Sequence, residues 1–217
     1  MEFVRSKTAI PVPKVYKAHH LRPDLYIEME FVKGQDLESA WDDLTPEQKT
    51  TLIKTISEFV IELRALPPPE DQVVGSASQH KLRDARIGTR PWGPFKTHAG
   101  FHSLLRGHIP LDESTKTFGA KVVECHNRQY KTYFTHADLC MRNIIVRGDR
   151  IVSVIDWAFS GWYPEYWEFT KAHYGQFNIP DWYGPLGESI GRYDEELEAE
   201  RMLWSKLDWP ANQVQDL

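Results

Sequence analysis

A chain of 217 residues, 41 % hydrophobic and 26 % charged, is long enough for one large domain with or without a small appendage, and can fold around a core without disulfides or metals. Its formal charge of −5 leaves no basic stripe to displace counterions from phosphates, so no nucleic-acid partner is expected. Only two cysteines, Cys125 and Cys140, no run of about 18 apolar residues and no leader-like segment at Met1 make a reduced, cytoplasmic compartment and no membrane partner the expectation.

In chain order, Phe3 and Val4 read as the apolar trace of a helix end that Pro11 and Pro13 stop from continuing. Lys14 to Ala18 and Asp24 to Val32 are rich in β-formers around a turn containing Arg22, Pro23 and Asp24, which predicts a hairpin. Lys33-Gly34-Gln35 interrupts it, and Asp36 is placed to cap a short helix reaching Trp41. Thr45, Pro46 and Gln48 then spell a capping box with proline at the first helical position. Leu52, Ile53, Ile56, Phe59, Val60, Leu63 and Leu66 recur at helical spacing until Pro67-Pro68-Pro69, so this helix presents one apolar face to a core.

Glu70 to Thr97 lacks periodicity but carries Val73, Val74, Leu82, Ile87, Trp92 and Phe95, so a long ordered loop is expected rather than a tether. A short helix from Thr97 to Arg106 and a longer one from Glu113 to about Tyr130 follow, the second with Phe118, Val122, Cys125 and Tyr130 facing inward. Past Gly161 the chain is aromatic, and Trp162, Tyr163, Tyr166 and Trp167 suit packing better than a substrate cage. The last predicted helix, Asp194 to about Leu207, places acids in its first turn and Leu197, Leu203, Trp204 and Leu207 inward.

The chemistry concentrates between these helices. His136 to Val146 reads HADLCMRNIIV and Arg150 to Gly161 reads RIVSVIDWAFSG, two β-branched runs joined by a Gly148-Asp149 turn signal. That hairpin would gather Asp138, Asn143 and Asp156 at one end. A carboxylate able to take a proton, with an amide and a second carboxylate able to hold Mg²⁺, is the oxygen-rich set that phosphoryl transfer requires. Blander roles stand beside each: a turn aspartate often caps a local amide, a turn asparagine often bonds its own backbone, and Asp156 could be a solvated strand end. Cys140 lies in the same loop with no adjacent base, which argues against a thiol nucleophile.

An HxDxxxxN string followed thirteen residues later by a second aspartate, with a hairpin between, closely resembles the aminoglycoside phosphotransferase and choline-kinase-like family. IPVPKV, MEFVKGQDL, the Gly93-Pro94-Phe95 segment and the acidic final helix extend the resemblance along most of the chain. It implies an α+β fold: a protein-kinase-like, mostly helical large lobe over residues 34–217, after a remnant two-stranded small-lobe hairpin and hinge in residues 1–33. It implies ATP and Mg²⁺ as cofactors and a small-molecule hydroxyl as acceptor. Asp138 then corresponds to the catalytic base, Asn143 and Asp156 to the metal ligands, and Glu30, Phe31 and Val32 to the hinge whose backbone pairs with the adenine edge. His136 corresponds to a brace for the loop. Ala137 replaces the glycine or arginine common there.

The family's glycine-rich phosphate loop, its strand lysine and that lysine's glutamate partner have no counterpart ahead of Glu30. Losing one preorganised charge-stabilising group typically costs roughly 10²- to 10³-fold in rate, so catalysis is expected to be weakened, and a binding or regulatory module is the alternative. Two strands with an open edge make a marginal sheet. The first hairpin is therefore expected to rest on the large lobe or to self-associate through its exposed edge.

Overall fold

A computed structural model describes residues 1–21, 24–174 and 179–213. Its secondary structure begins with helix α1 (Glu2–Lys7), whose Val4 is fully buried. Strands β1 (Val15–Leu21) and β2 (Asp24–Met29) pair antiparallel with Ala18 opposite Ile27, and a bulge between Val15 and Lys17 shifts their register. Arg22 and Pro23 of the expected turn lie outside the described residues. The second strand stops at Met29 instead of reaching Val32, although the Glu30 N–H still donates to Lys14 O at 2.8 Å.

The hairpin does not lie back on the large lobe. Tyr16, Leu25, Tyr26, Ile27, Met29 and Phe31 are six of the eight large hydrophobic side chains exposed among the described residues. By contrast Val4, Ile10 and Val12 are buried in the main core, so the segments flanking the hairpin's start are anchored while the hairpin projects.

Gln35–Asp36 is not the interruption the sequence suggests but a two-residue strand, β3, paired with Val146 and Ile145. Gly34 makes this possible, because a Cβ there would stand 2.6 Å from both Ile145 Cγ2 and the Val146 carbonyl. Asp36 accepts the Ser39 N–H at 2.8 Å and so starts α2 (Leu37–Ala40). Thr45 and Gln48 close their reciprocal capping box at the head of α3 (Pro46–Arg64), whose Leu52, Ile56 and Val60 are buried. Each such side chain stabilises the fold by about 2 kcal/mol.

The expected long loop folds into ribbons: β4 (Gly75–Ser76), β5 (Leu82–Asp84) and β6 (Gly88–Trp92), with β5 and β6 paired. Its apolar side chains were the clue to order, since Val73, Val74, Leu82, Ile87 and Trp92 are all buried. Helix α4 (His98–Leu105) is capped by Thr97. The single long helix expected next is two, α5 (Ser114–Phe118) and α6 (Ala120–His126), because Gly119 adopts φ +94° and breaks the backbone ladder.

Strand β7 (Thr132–Thr135) leads into the loop of Asp138, and β8 (Ile144–Arg147) and β9 (Arg150–Val154) form the predicted hairpin. The aromatic run opens as a strand, β10 (Gly161–Pro164), lying between β4 and β7. Helices α7 (Trp167–Ala172), α8 (Pro180–Ile190), α9 (Asp194–Lys206) and α10 (Pro210–Gln213) complete the chain. α8 falls where the sequence pattern predicts nothing; it packs through Trp182, edge-on to Trp41 at 5.5 Å. Among the described residues no helix is long and apolar enough to cross a membrane.

Trp162, Tyr163, Tyr166 and Trp167 are buried, so the aromatic run is packing. Beside it, His98, His102 and His126 are buried, with the His102 and His126 rings stacked at 4.2 Å. Burial lowers His98 to about 4 and His102 to about 3, and holds His126 well below the ordinary histidine value, with the neighbouring rings and Arg106 adding repulsion. The unfolded chain therefore binds more protons than the folded one once pH drops below about 6.5, and each ring withdraws about 1.4 kcal/mol of stability per pH unit down to its folded pKa. Guanidinium unfolding at pH 7, 6 and 5 should show a steep acid loss, and His102→Gln should flatten it; equal slopes in the two proteins would contradict this origin.

Candidate active site

Ile144 pairs with Val154 across the β8–β9 ribbon, so the loop ahead of β8 and the turn after β9 emerge at the same end. The Ile155 N–H donates to Asn143 O at 2.8 Å and locks that end. Asn143 Nδ2 donates to the Asp138 carbonyl at 2.8 Å and to Asp138 Oδ2 at 2.9 Å. The amide therefore turns its nitrogen to Asp138, which leaves Oδ1 without a protein donor among the described residues.

Asp156 sits at φ +58°, ψ +60°, a left-handed conformation that costs a non-glycine residue about 1 kcal/mol. Its carboxylate is exposed and carries no hydrogen bond among the described residues. No cluster of three or more His, Cys, Asp or Glu side chains at ligating spacing occurs among those residues. The donor set instead suits Mg²⁺, a hard cation that commonly takes one or two protein oxygens and fills its octahedron with water and phosphate. Asn143 Oδ1 and the Asp156 carboxylate are the oxygens that could hold it.

The structure thus brings Asp138 and Asn143 into contact and ties the Asp156 turn beside them. His136 links the two loops: its Nδ1 accepts the Asp138 N–H at 3.2 Å and its Nε2 donates to Ile155 O at 3.0 Å. Both ring nitrogens are used, and burial lowers its pKa although the Ile155 bond and the Asp138 and Asp156 carboxylates pull it upward. A neutral ring held this way braces the loop. Burial pushes the Cys140 thiol up, and it pushes the Cys125 thiol up to about 11, so neither supplies a thiolate.

Glu30, Phe31 and Val32 sit apart from these groups, in the coil after β2. Phe31 is 85 % exposed, while Glu30 Oε2 accepts the Lys14 N–H at 3.1 Å. The segment runs directly to Lys33, whose carbonyl accepts from Arg147 at 2.8 Å at the far end of β8. Among the described residues the main-chain groups of Phe31 and Val32 make no hydrogen bond, which leaves them able to pair with a planar ligand edge.

Sequence reasoning missed Glu168. On α7, its Oε2 accepts the His136 N–H at 2.7 Å and its Oε1 accepts the Ala137 N–H at 3.1 Å. Ala137 is wholly buried at φ +64°, so the carboxylate holds a left-handed backbone turn inside the core. The available signal was a lone acid inside the aromatic run Tyr166-Trp167-Glu168-Phe169, since a carboxylate in a buried segment requires donors.

Over residues 1–204 the sequence matches the model of the phosphotransferase enzyme family. The chain belongs to the phosphotransferase enzyme family. Among solved structures, an aminoglycoside phosphotransferase APH(4)-Ia with ADP and hygromycin B matches at 17 % identity, covering 93 % of this chain and 70 % of that one, with a TM-score of 0.54. An aminoglycoside-3'-phosphotransferase of type VIII matches at 17 % identity over 93 % of this chain and 77 % of that one, TM-score 0.55. A streptomycin–ATP complex of APH(2")-IIa matches at 14 % identity over 94 % and 68 %, TM-score 0.58. These likenesses show the fold, a protein-kinase-like α+β architecture. No curated protein sequence matches the chain.

Within this phosphotransferase fold, burial pushes the Glu168 carboxyl up to about 7, against the bonds from His136 and Ala137 and the charge of Arg64, which pull it down. A folded-state pKa above the unfolded value means that its contribution to stability is full at low pH and is lost as pH rises through about 7. Glu168→Gln should therefore gain stability relative to the parent between pH 5 and pH 8, while the His136 and Ala137 amides exchange faster because one amide oxygen replaces two acceptors. Denaturant melts and amide exchange at the two pH values check both; parallel stability curves would refute the assignment.

Proposed function

We propose that this chain transfers the γ-phosphoryl group of ATP to a hydroxyl of a small molecule, with Asp138 as base, Asn143 and Asp156 as Mg²⁺ ligands, and the Glu30–Val32 backbone against the adenine edge. The observation that carries the reading is the Asn143 amide, whose nitrogen is bonded twice to Asp138 so that its oxygen has no protein donor among the described residues, on a loop bonded at Asn143 O to the residue before Asp156. The family match and the nucleotide complexes among its structural neighbours support the same chemistry.

In the reaction, the acceptor oxygen forms its bond to the γ-phosphorus, the bond from that phosphorus to the β–γ bridging oxygen breaks, and ADP leaves. Asp138, an acceptor-only carboxylate held by Asn143, orients the hydroxyl and takes its proton. Bound between Asn143 and Asp156, Mg²⁺ would offset the charge on the phosphate oxygens. Residues 1–33 form the proposed small lobe and hinge, and residues 34–217 the large lobe. The proposed setting is cytoplasmic.

Asp138→Asn should lower kcat by roughly 10²-fold or more with nucleotide affinity little changed, because it removes a proton acceptor and leaves the metal seat. Asp156→Ala should abolish the Mg²⁺ dependence of nucleotide binding. Equal turnover by the parent and both variants would sink the enzyme reading. Nucleotide binding without turnover in the parent would favour the second reading, a binding or regulatory module.

The hairpin enters the proposal as a self-association surface. Leu25, Ile27 and Met29 alternate onto one face of β2, each half exposed, an arrangement that leaves apolar area in water. Light scattering should show a concentration-dependent dimer that Ile27→Lys removes; a monomer at every concentration would eliminate this part.

A further inference from the structure

Buried charges away from the site gather in one place. Asp84 at the end of β5, Arg86 in the turn before β6, Lys171 on α7 and Glu200 on α9 are each no more than 4 % exposed. Lys171 Nζ lies 2.8 Å from Asp84 Oδ1, which also accepts the Arg86 N–H at 2.7 Å. Arg86 Nε faces Glu200 at 3.4 Å, and its Nη1 donates to Leu207 O at 3.3 Å. The Asp84–Lys171 pair is thereby tied to both the β5–β6 ribbon and α9.

Net stability is a poor explanation for such a pair. Desolvating two charges offsets most of their attraction, and apolar side chains of similar volume often stabilise a fold as well. What an ion pair adds is direction. The six residues of α7 are too few to hold a helix by its own hydrogen bonds, so its rotation depends on side-chain anchors. Lys171, one turn beyond Glu168, supplies one such anchor through its ion pair. Its Nζ also lies 5.6 Å from the centre of the Phe159 ring, in the turn that follows Asp156, and Tyr163 Oη donates to Phe159 O at 2.8 Å.

We propose that Asp84 and Lys171 are positioning residues of the phosphoryl-transfer site, holding α7 so that Glu168 keeps its grip on the loop that carries Asp138. The kinetic half of this inference rests on the phosphotransferase reading; the structural half does not.

Two double variants test it, Asp84→Leu with Lys171→Met and Asp84→Asn with Lys171→Gln, the second keeping shape and hydrogen-bonding capacity without charge. In either one, folded as judged by its thermal transition, the His136 and Ala137 amides should exchange about tenfold faster than in the parent while core amides of α3 do not. With ATP and Mg²⁺, kcat should fall roughly 10- to 100-fold at unchanged nucleotide KM, the scale expected from an ångström of misplacement. Lys171→Arg, which keeps the charge, should retain most of both properties. Parent-like exchange at His136 and Ala137 in a folded double variant would overturn the proposal, as would unfolding of both, which would make the pair a plain stability element. A parent chain without turnover would instead remove the phosphotransferase reading and leave amide exchange to decide the positional link.

Discussion

Two backbone amides, those of His136 and Ala137, point into the buried carboxylate of Glu168, and the site depends on that contact. Ala137 holds a left-handed turn without the freedom of a glycine, and a strained turn persists only where its surroundings over-determine it. With the turn held, Asp138 follows at a set angle, its N–H on His136 and its carboxylate on Asn143. His136 then reaches Ile155, and the two loops become one rigid end of the β8–β9 ribbon.

The same region shows how the fold handles buried polarity. Glu168 has two donors, His136 has one donor and one acceptor, and the stacked His102 has Tyr166 at 3.0 Å, so these groups are buried with partners. The Asp84–Arg86–Lys171–Glu200 network is looser: Asp84 Oδ2, both Glu200 carboxylate oxygens and two Arg86 nitrogens lack a hydrogen bond among the described residues. Neutral histidines and a carboxyl lifted by burial both follow from the price of charge in a medium of low polarity.

Hydrophobic patterning and capping made much of the architecture readable. The Thr45–Gln48 box, the α3 stripe and the Asp36 cap rest on contacts within a few residues, so local sequence suffices to specify them. The breaks in prediction share another cause. β3 depends on Gly34 meeting Ile145 and Val146 more than a hundred residues away, and β10 is a strand only because β4 and β7 flank it. The α5–α6 break was visible as Gly119, but an isolated glycine in a helical pattern is equally compatible with continuation until packing sets its φ.

For the site, sequence alone determined which side chains are available: the aspartates, the asparagine and the short β-branched runs that bring them to one end of a ribbon. These are properties of spacing, and a tight hairpin converts spacing into proximity. Only the tertiary structure decided which groups hold that arrangement in place, because Glu168 lies some thirty residues beyond the amides it accepts from and Asp84 lies eighty-seven before Lys171. Hydrogen bonds over such separations leave no periodicity in the chain, and they exist only once the core has closed around them.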